Sequence, residues 1–338
     1  MEKNIINNKI LVIRYGTIGD TVFASAFYRE LRKALPNATI DILVDKIAGE
    51  VMQDCPYINN TFFIDGKFSH LFHYINLFAK YDTVYFLKND NFFTKTAFLA
   101  RVKNRIGFDV KRNFHLTVKV PYDEQTHEID CYLNLLKATN IDVNNDKTEV
   151  WINKNGEQKI LSFLSGVQAK KVLIQAYSRF SQKNWIDENW AKVIEYLSNE
   201  KHMQVFFAGS SNDCYDNIYH LIKSDLELLP INTCGKFCIQ ESMALVKNMD
   251  MVIGIDSGLM HIAAALNIPS ILLNGPTSLT KWKPRSENCI AMSKNFECSP
   301  CILQKKHKKQ CHDTNPKCME SISVQEVIEN IKKIENKR

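Results

Sequence analysis

The chain of 338 residues has no apolar run approaching the roughly 18 residues that a membrane-spanning helix needs. Its opening MEKNIINNK lacks the apolar core of a signal peptide and runs straight into the strand-like Ile10–Ile13. The expected location is therefore cytoplasmic, with any membrane contact peripheral and on the inner face. Neither a G-x-G-x-x-G fingerprint nor a P-loop occurs, so a dinucleotide or ATP-hydrolysis site is not implied. Repeats and low-complexity tracts are absent too. Charge of one sign barely predominates, with a formal net of +6. That small excess serves solubility, or attraction to an anionic partner such as a phosphorylated glycolipid or a membrane surface; nucleic acid is not expected.

The chain nevertheless exceeds the usual size of one hydrophobic core, so two domains are expected. Lys9–Tyr15 is a short apolar run suited to a buried parallel strand. Val22, Ala26, Phe27, Leu31 and Leu35 then recur at helical spacing until Pro36 and Asn37. Further strands are expected at Thr39–Val44, Thr61–Ile64 and Thr83–Leu87. The polar stretch Asp142–Gly166 reads as a linker. A second alternating series follows, with strands at Val172–Gln175, Gln204–Ala208, Met251–Ile255 and Ser270–Leu273 and helices near 187–200, 239–248 and 259–267. Ser323–Lys333 closes the chain as an amphipathic helix. The implied α/β architecture is two Rossmann-like doubly wound domains, 1–165 and 166–322, facing a central cleft, with 323–338 as a C-terminal helix. Open sheets of this kind bind ligands beyond the carboxyl ends of their strands.

Three constellations fall at such strand ends. Arg14-Tyr15-Gly16-Thr17-Ile18-Gly19-Asp20 joins the first strand to the first helix, and its glycines let the backbone approach a ligand. Asp20 is either an acid favoured by the helix dipole or a general base at the cleft. Asp256-Ser257-Gly258-Leu259-Met260-His261 also follows a strand. Its helix start suits a diphosphate, and Asp256 suits a sugar or ribose hydroxyl. Gln175-Ala176-Tyr177-Ser178-Arg179, followed by Lys183-Asn184-Trp185, places a lysine able to neutralise a departing nucleotide, or else forms a solvated loop. No Asp-x-Asp element occurs anywhere. Many sugar transferases use that spacing to hold a divalent ion on the diphosphate, so no catalytic metal is expected.

IRYGTIGD and VIGIDSGLMHIAAALNIPSILLNGPT, with NLLKATNIDV and KNWIDENWAKVI between them, resemble the ordered motifs of glycosyltransferase family 9, the heptosyltransferases of the lipopolysaccharide inner core. The resemblance covers nearly the whole chain. It implies a GT-B fold, an ADP-heptose donor, a lipid A–Kdo–heptose acceptor and inversion at the anomeric carbon. By motif match Asp20 becomes the catalytic base, with Arg14, Thr17 and Gly19 on the acceptor side. Lys183, Ser178, Ser257 and Gly258 would hold the diphosphate, Asp256 and His261 would place the donor, and Phe237 would lie near adenine. Gln175–Arg179 departs from the His-led motif of the branches adding the first and second heptose, and with Leu279–Pro284 resembles the branch adding the third. An acidic ribose partner after Val205–Ala208 is not evident; Ser210 or Asn212 would substitute. Transfer of another sugar, a nucleotide-sugar epimerase and a non-catalytic binder are the alternatives.

Cys298, Cys301, Cys311 and Cys318 give a C-x₂-C-x₉-C-x₆-C spacing. Four thiolates so arranged suit a structural Zn or Fe, or remain thiols or a labile disulfide. The intervening Lys305–Lys309 run is a solvated loop or a contact to lipid phosphate.

Overall fold

The computed structural model describes residues 9–66, 70–110, 114–213, 215–294, 296–301 and 316–337. Cys311 and the Lys305–Lys309 run lie outside them. The chain divides into two compact units, Met1–Trp151 and Ile152–Arg338. Among the described residues no helix is long and apolar enough to cross a membrane.

The first unit runs β1 (Lys9–Ile13), α1 (Ile18–Ala34), β2 (Thr39–Val44), α2 (Lys46–Val51), β3 (Asn60–Phe63), α3 (Leu71–Phe78) and β4 (Thr83–Phe86). It continues with α4 (Asn91–Leu99), β5 (Asn104–Asp109), β6 (Val118–Pro121) and α5 (Glu128–Lys137). The strands form one parallel sheet in the order β3-β2-β1-β4-β5-β6. Ile10, Leu11, Val12 and Ile13 are fully buried, as a central parallel strand covered on both faces requires. Chain order reverses between β1 and β4, and that switch point opens a crevice at their carboxyl ends.

The second unit runs α6 (Lys154–Leu164), β7 (Lys171–Gln175), α7 (Asp187–Glu195), β8 (Gln204–Phe207), α8 (Tyr215–Tyr219), β9 (Ile231–Asn232) and α9 (Ile239–Lys247). Then come β10 (Met251–Ile255), α10 (Gly258–Ala265), β11 (Ser270–Asn274), α11 (Leu279–Trp282), β12 (Cys289–Ser293), α12 (Lys317–Glu320) and α13 (Val324–Glu335). Its parallel sheet has the order β12-β11-β10-β7-β8-β9, the same winding, with the switch point between β7 and β10. Val327, Ile331 and Ile334 bury the predicted face of α13 in this unit's core, and Trp185 Nε1 donates to Ile322 O at 3.0 Å.

The polar segment expected to link the domains is instead divided between them. Arg29 of α1 donates to the carbonyls of Asn145 and Lys147, and Glu149 N donates to Ser25 Oγ at 2.8 Å, which fastens 144–149 to the first unit. Residues 154–164 form α6, capped by Asn153 and buried through Ile160 and Leu164. Lys159 pairs with Glu241 at 2.7 Å, so α6 packs with the second unit. The strands beyond the sequence expectation are β5, β6, β9 and β12. The last three are sheet edges, and β6 and β9 are only four and two residues long.

Candidate active site

Two side-chain clusters stand at the two switch points. In the first unit, Arg14 directly follows β1 and is nearly fully buried, with Nη2 2.8 Å from Asp20 Oδ2. Its Nε donates to Tyr132 Oη of α5 at 2.7 Å. Thr17 caps α1: Asp20 N donates to Thr17 Oγ1 at 3.3 Å, and Thr17 N and Oγ1 donate back to Asp20 Oδ2 at 3.2 and 2.9 Å. This is a capping box, so Asp20 satisfies the helix start while its side chain stays 18% exposed. Burial raises the Asp20 carboxyl, but Arg14 and the Thr17 hydrogen bonds outweigh that and hold it below the usual carboxylate range. Burial disfavours the Arg14 cation, yet Tyr132, Asp20 and Glu128 more than offset this and hold it protonated.

The turn between them needs glycine. Gly16 has φ +140°, and a Cβ there would come within 3.2 Å of both Arg14 Nη1 and Asp20 Oδ2 and 3.6 Å of Lys88 Nζ. Gly16 N donates to Asp45 Oδ2 at 2.6 Å, fixing the turn from the start of α2. Lys88 follows β4 across the switch point, with Nζ 4.0 Å from the Tyr15 ring centroid and 3.3 Å from Tyr15 O. Neither Lys88 nor Tyr132 figures in the motif reading. Lys88 was legible as the residue just after a strand candidate, whereas Tyr132 is an ordinary core-facing residue of α5. Gly19 is buried within α1.

In the second unit, Lys183 returns to β10 through a short loop in which Asn184 Oδ1 accepts from Ser178 N at 2.9 Å. Its Nζ lies 2.7 Å from Asp256 Oδ2 and donates to Asp256 O at 3.3 Å. His261 Nε2 is 3.7 Å from Asp256 Oδ1. Burial raises the Asp256 carboxyl, but the adjacent His261 imidazole and the Lys183 charge reverse this and keep it ionised far below its usual range. Ser257 is the N-cap of α10, yet its side chain caps no amide, and its buried Oγ has no hydrogen-bond partner among the described residues. The first turn of α10 carries no acid. A helix start with an unused hydroxyl and a cation beside it can receive an anion.

The structure thus joins Lys183, Asp256, Ser257, Gly258 and His261 at one strand end, with Ser178 in the adjoining loop. Phe237 follows β9, two strands from β7. Its ring packs edge-on against Phe163 at 5.2 Å and under Lys159 at 5.9 Å. Ser210 N donates to Asp213 Oδ2 at 2.7 Å, so the loop after β8 does contain an acid, reached three residues beyond Ser210. Asn212 lies in the same loop. Of the cysteines, Cys301 Sγ lies 4.0 Å from Pro276 O, and a Cβ on Gly275 would come 2.6 Å from Cys318 Sγ, so both approach the turn after β11. Cys298 is exposed. Among the described residues no three His, Cys, Asp or Glu side chains form a metal-holding group.

The model of glycosyltransferase family 9 (heptosyltransferase) matches residues 75–312. Lipooligosaccharide heptosyltransferase 2 of Campylobacter jejuni is 30% identical over 156 residues, 46% of this chain and 48% of that one. The match to that relative therefore spans about half its length. Lipopolysaccharide heptosyltransferase 3 of Escherichia coli K12 is 26% identical over 94% of this chain and 95% of its own. Among solved structures, E. coli ADP-heptose LPS heptosyltransferase II superposes with a TM-score of 0.81 at 19% identity, covering 97% of this chain and 99% of that one. The fold is the two-domain α/β arrangement of the GT-B class.

Proposed function

The chain belongs to glycosyltransferase family 9, and from that premise we propose that it moves L-glycero-D-manno-heptose from ADP-heptose to the inner core of lipopolysaccharide. The observation that carries this reading is the start of α10, where the Ser257 hydroxyl caps nothing and Lys183 stands beside Asp256. Those groups receive the donor's diphosphate, and no metal takes part in the step. His261 and Asp256 orient the sugar, Ser178 borders the diphosphate, and Phe237 with the β8 loop lies on the nucleoside side.

The reaction is a single inverting displacement. An acceptor hydroxyl oxygen bonds to the anomeric carbon as the bond from that carbon to the diphosphate oxygen breaks, and ADP leaves with the electron pair. Asp20 receives the hydroxyl proton. Its lowered basicity suits a late proton transfer, because the hydroxyl becomes acidic only as it attacks. Arg14 positions Asp20 and keeps it ionised, while Thr17 and Gly19 shape the acceptor side.

The test is an assay of the purified chain with ADP-heptose and a core acceptor carrying Kdo and heptose, read by mass spectrometry with and without chelator. A heptose mass increment that needs the acceptor and survives chelation is expected. Donor conversion without acceptor would replace transfer by epimerisation. Calorimetric preference for UDP over ADP would overturn the heptose donor.

A further inference from the structure

The first unit also carries a surface far from its switch point. Asp20 follows the carboxyl end of β1, whereas the end of α4, the loop 100–103 and the segment before β6 lie at the amino ends of β5 and β6. There Phe98 is 50% exposed, Leu99 46% and Phe114 79%. An open groove between Phe98, Leu99, Arg101, Val102, Lys103 and Arg105 has three cations and no carboxylate among its lining residues. The Arg105 guanidinium lies 5.6 Å from the Phe98 ring centroid, and Lys119 Nζ lies 5.8 Å from that of Phe114. Arg101, Lys103 and Lys119 are exposed.

We infer that this aromatic and basic edge docks on the surface of an anionic phospholipid bilayer. Exposed rings flanked by cations match the headgroup region, where apolar bodies sit among the acyl-chain ends and the charges meet lipid phosphate. Single-stranded nucleic acid fits less well. Stacking needs an open ring face, and Phe98 already packs on His115 at 4.9 Å and under Arg105. Leu99 offers a base nothing to stack on. The inference rests on the chemistry of this edge and assumes nothing about the transferred sugar.

The test is co-sedimentation of the full chain with phosphatidylcholine vesicles, with and without phosphatidylglycerol. Wild type is expected to bind only the anionic vesicles and to be released by salt. Each surface cation contributes about fivefold, so R101E/K103E should weaken binding by at least about 25-fold. Phe114→Ser, which removes a ring 79% exposed, should weaken it by about fivefold or more. Both substitutions lie on the surface, and transfer to a lipid-free acceptor fragment, with circular dichroism, checks that the variants fold. Equal binding to neutral and anionic vesicles would overturn the inference, as would variants that bind like wild type. So would capture of an oligonucleotide, but not vesicles, by the same residues. Loss of vesicle binding with transfer intact separates this surface from the transferase reading.

Discussion

At the start of α1 a hydroxyl and a carboxylate close on each other: Thr17 accepts from Asp20 N, and Asp20 Oδ2 accepts from Thr17 in return. At the start of α10, which follows β10 on the other side of the equivalent switch point, the Ser257 hydroxyl caps nothing and no acid enters the first turn. Each site has a carboxylate–cation pair of nearly equal length, 2.8 Å for Arg14–Asp20 and 2.7 Å for Lys183–Asp256. The carboxylate sits inside the helix start in one and before it in the other. A helix start filled by its own acid repels phosphate and leaves a carboxylate for proton transfer, whereas an open one attracts phosphate. In the proposed function, that difference suits one sheet to hold the base and the other to hold the anion.

The largest expected effect breaks the first half of that comparison. Asp20→Ala should lower kcat by about 10²–10⁴-fold while ADP affinity, measured by calorimetry, stays near wild type. Asp20→Asn can still accept hydrogen bonds at the helix start but cannot take the proton, so it should lose as much activity with less loss of Tm. A variant keeping more than half of wild-type turnover would remove Asp20 from the chemistry.

Lys183→Ala breaks the second half. It should weaken ADP binding by roughly 10- to 100-fold, the range for a hydrogen bond to a charged group. It also changes the acid response. Asp256 is held below its ordinary value, so its contribution to stability is present above the unfolded carboxylate pKa and is lost as pH falls through the folded one. Without Lys183 that lowering shrinks, and Tm should fall less steeply on acidification than in wild type. An unchanged Tm slope would leave the low Asp256 value to His261 alone.

Arg14→Met sharpens the comparison by uncoupling the Asp20 pair. Arg14 depresses the Asp20 carboxyl, so its loss should move the acid limb of kcat/KM upward by about one unit or more. A fall in rate without movement of that limb would make Arg14 a purely structural support.

The first motif was legible because glycine at φ +140° leaves a mark in sequence, and because strand, turn and helix follow one another within 26 residues, from Lys9 to Ala34. The alternation of strands and helices in both units was legible from the apolar runs at β1, β2, β3, β4, β7, β8, β10 and β11. What was hidden is long-range. Tyr132 reaches Arg14 from 118 residues away and Lys183 reaches Asp256 from 73. Nothing in a local pattern states which residues such distant pairs join. The helix α6 was hidden for another reason: its face needs only Ile160 and Leu164 once α9 covers it, so its composition reads as a linker.

The smallest effects test the comparison most directly, because they remove one hydroxyl from each helix start. Thr17→Ala deletes a side chain that both accepts from Asp20 N and donates to Asp20 Oδ2, and should cost about 1 kcal/mol of stability, the usual loss of an N-cap. Ser257→Ala deletes an N-cap hydroxyl with no hydrogen bond to lose among the described residues, so its denaturant midpoint should stay close to wild type. The same change should weaken ADP by about two- to tenfold, because the diphosphate loses a donor. If Ser257→Ala instead destabilises the fold as much as Thr17→Ala and leaves ADP affinity alone, its hydroxyl is a cap like the other. The two helix starts would then differ only in where their carboxylates stand, and phosphate binding would have to be carried by Lys183 and the α10 backbone without it.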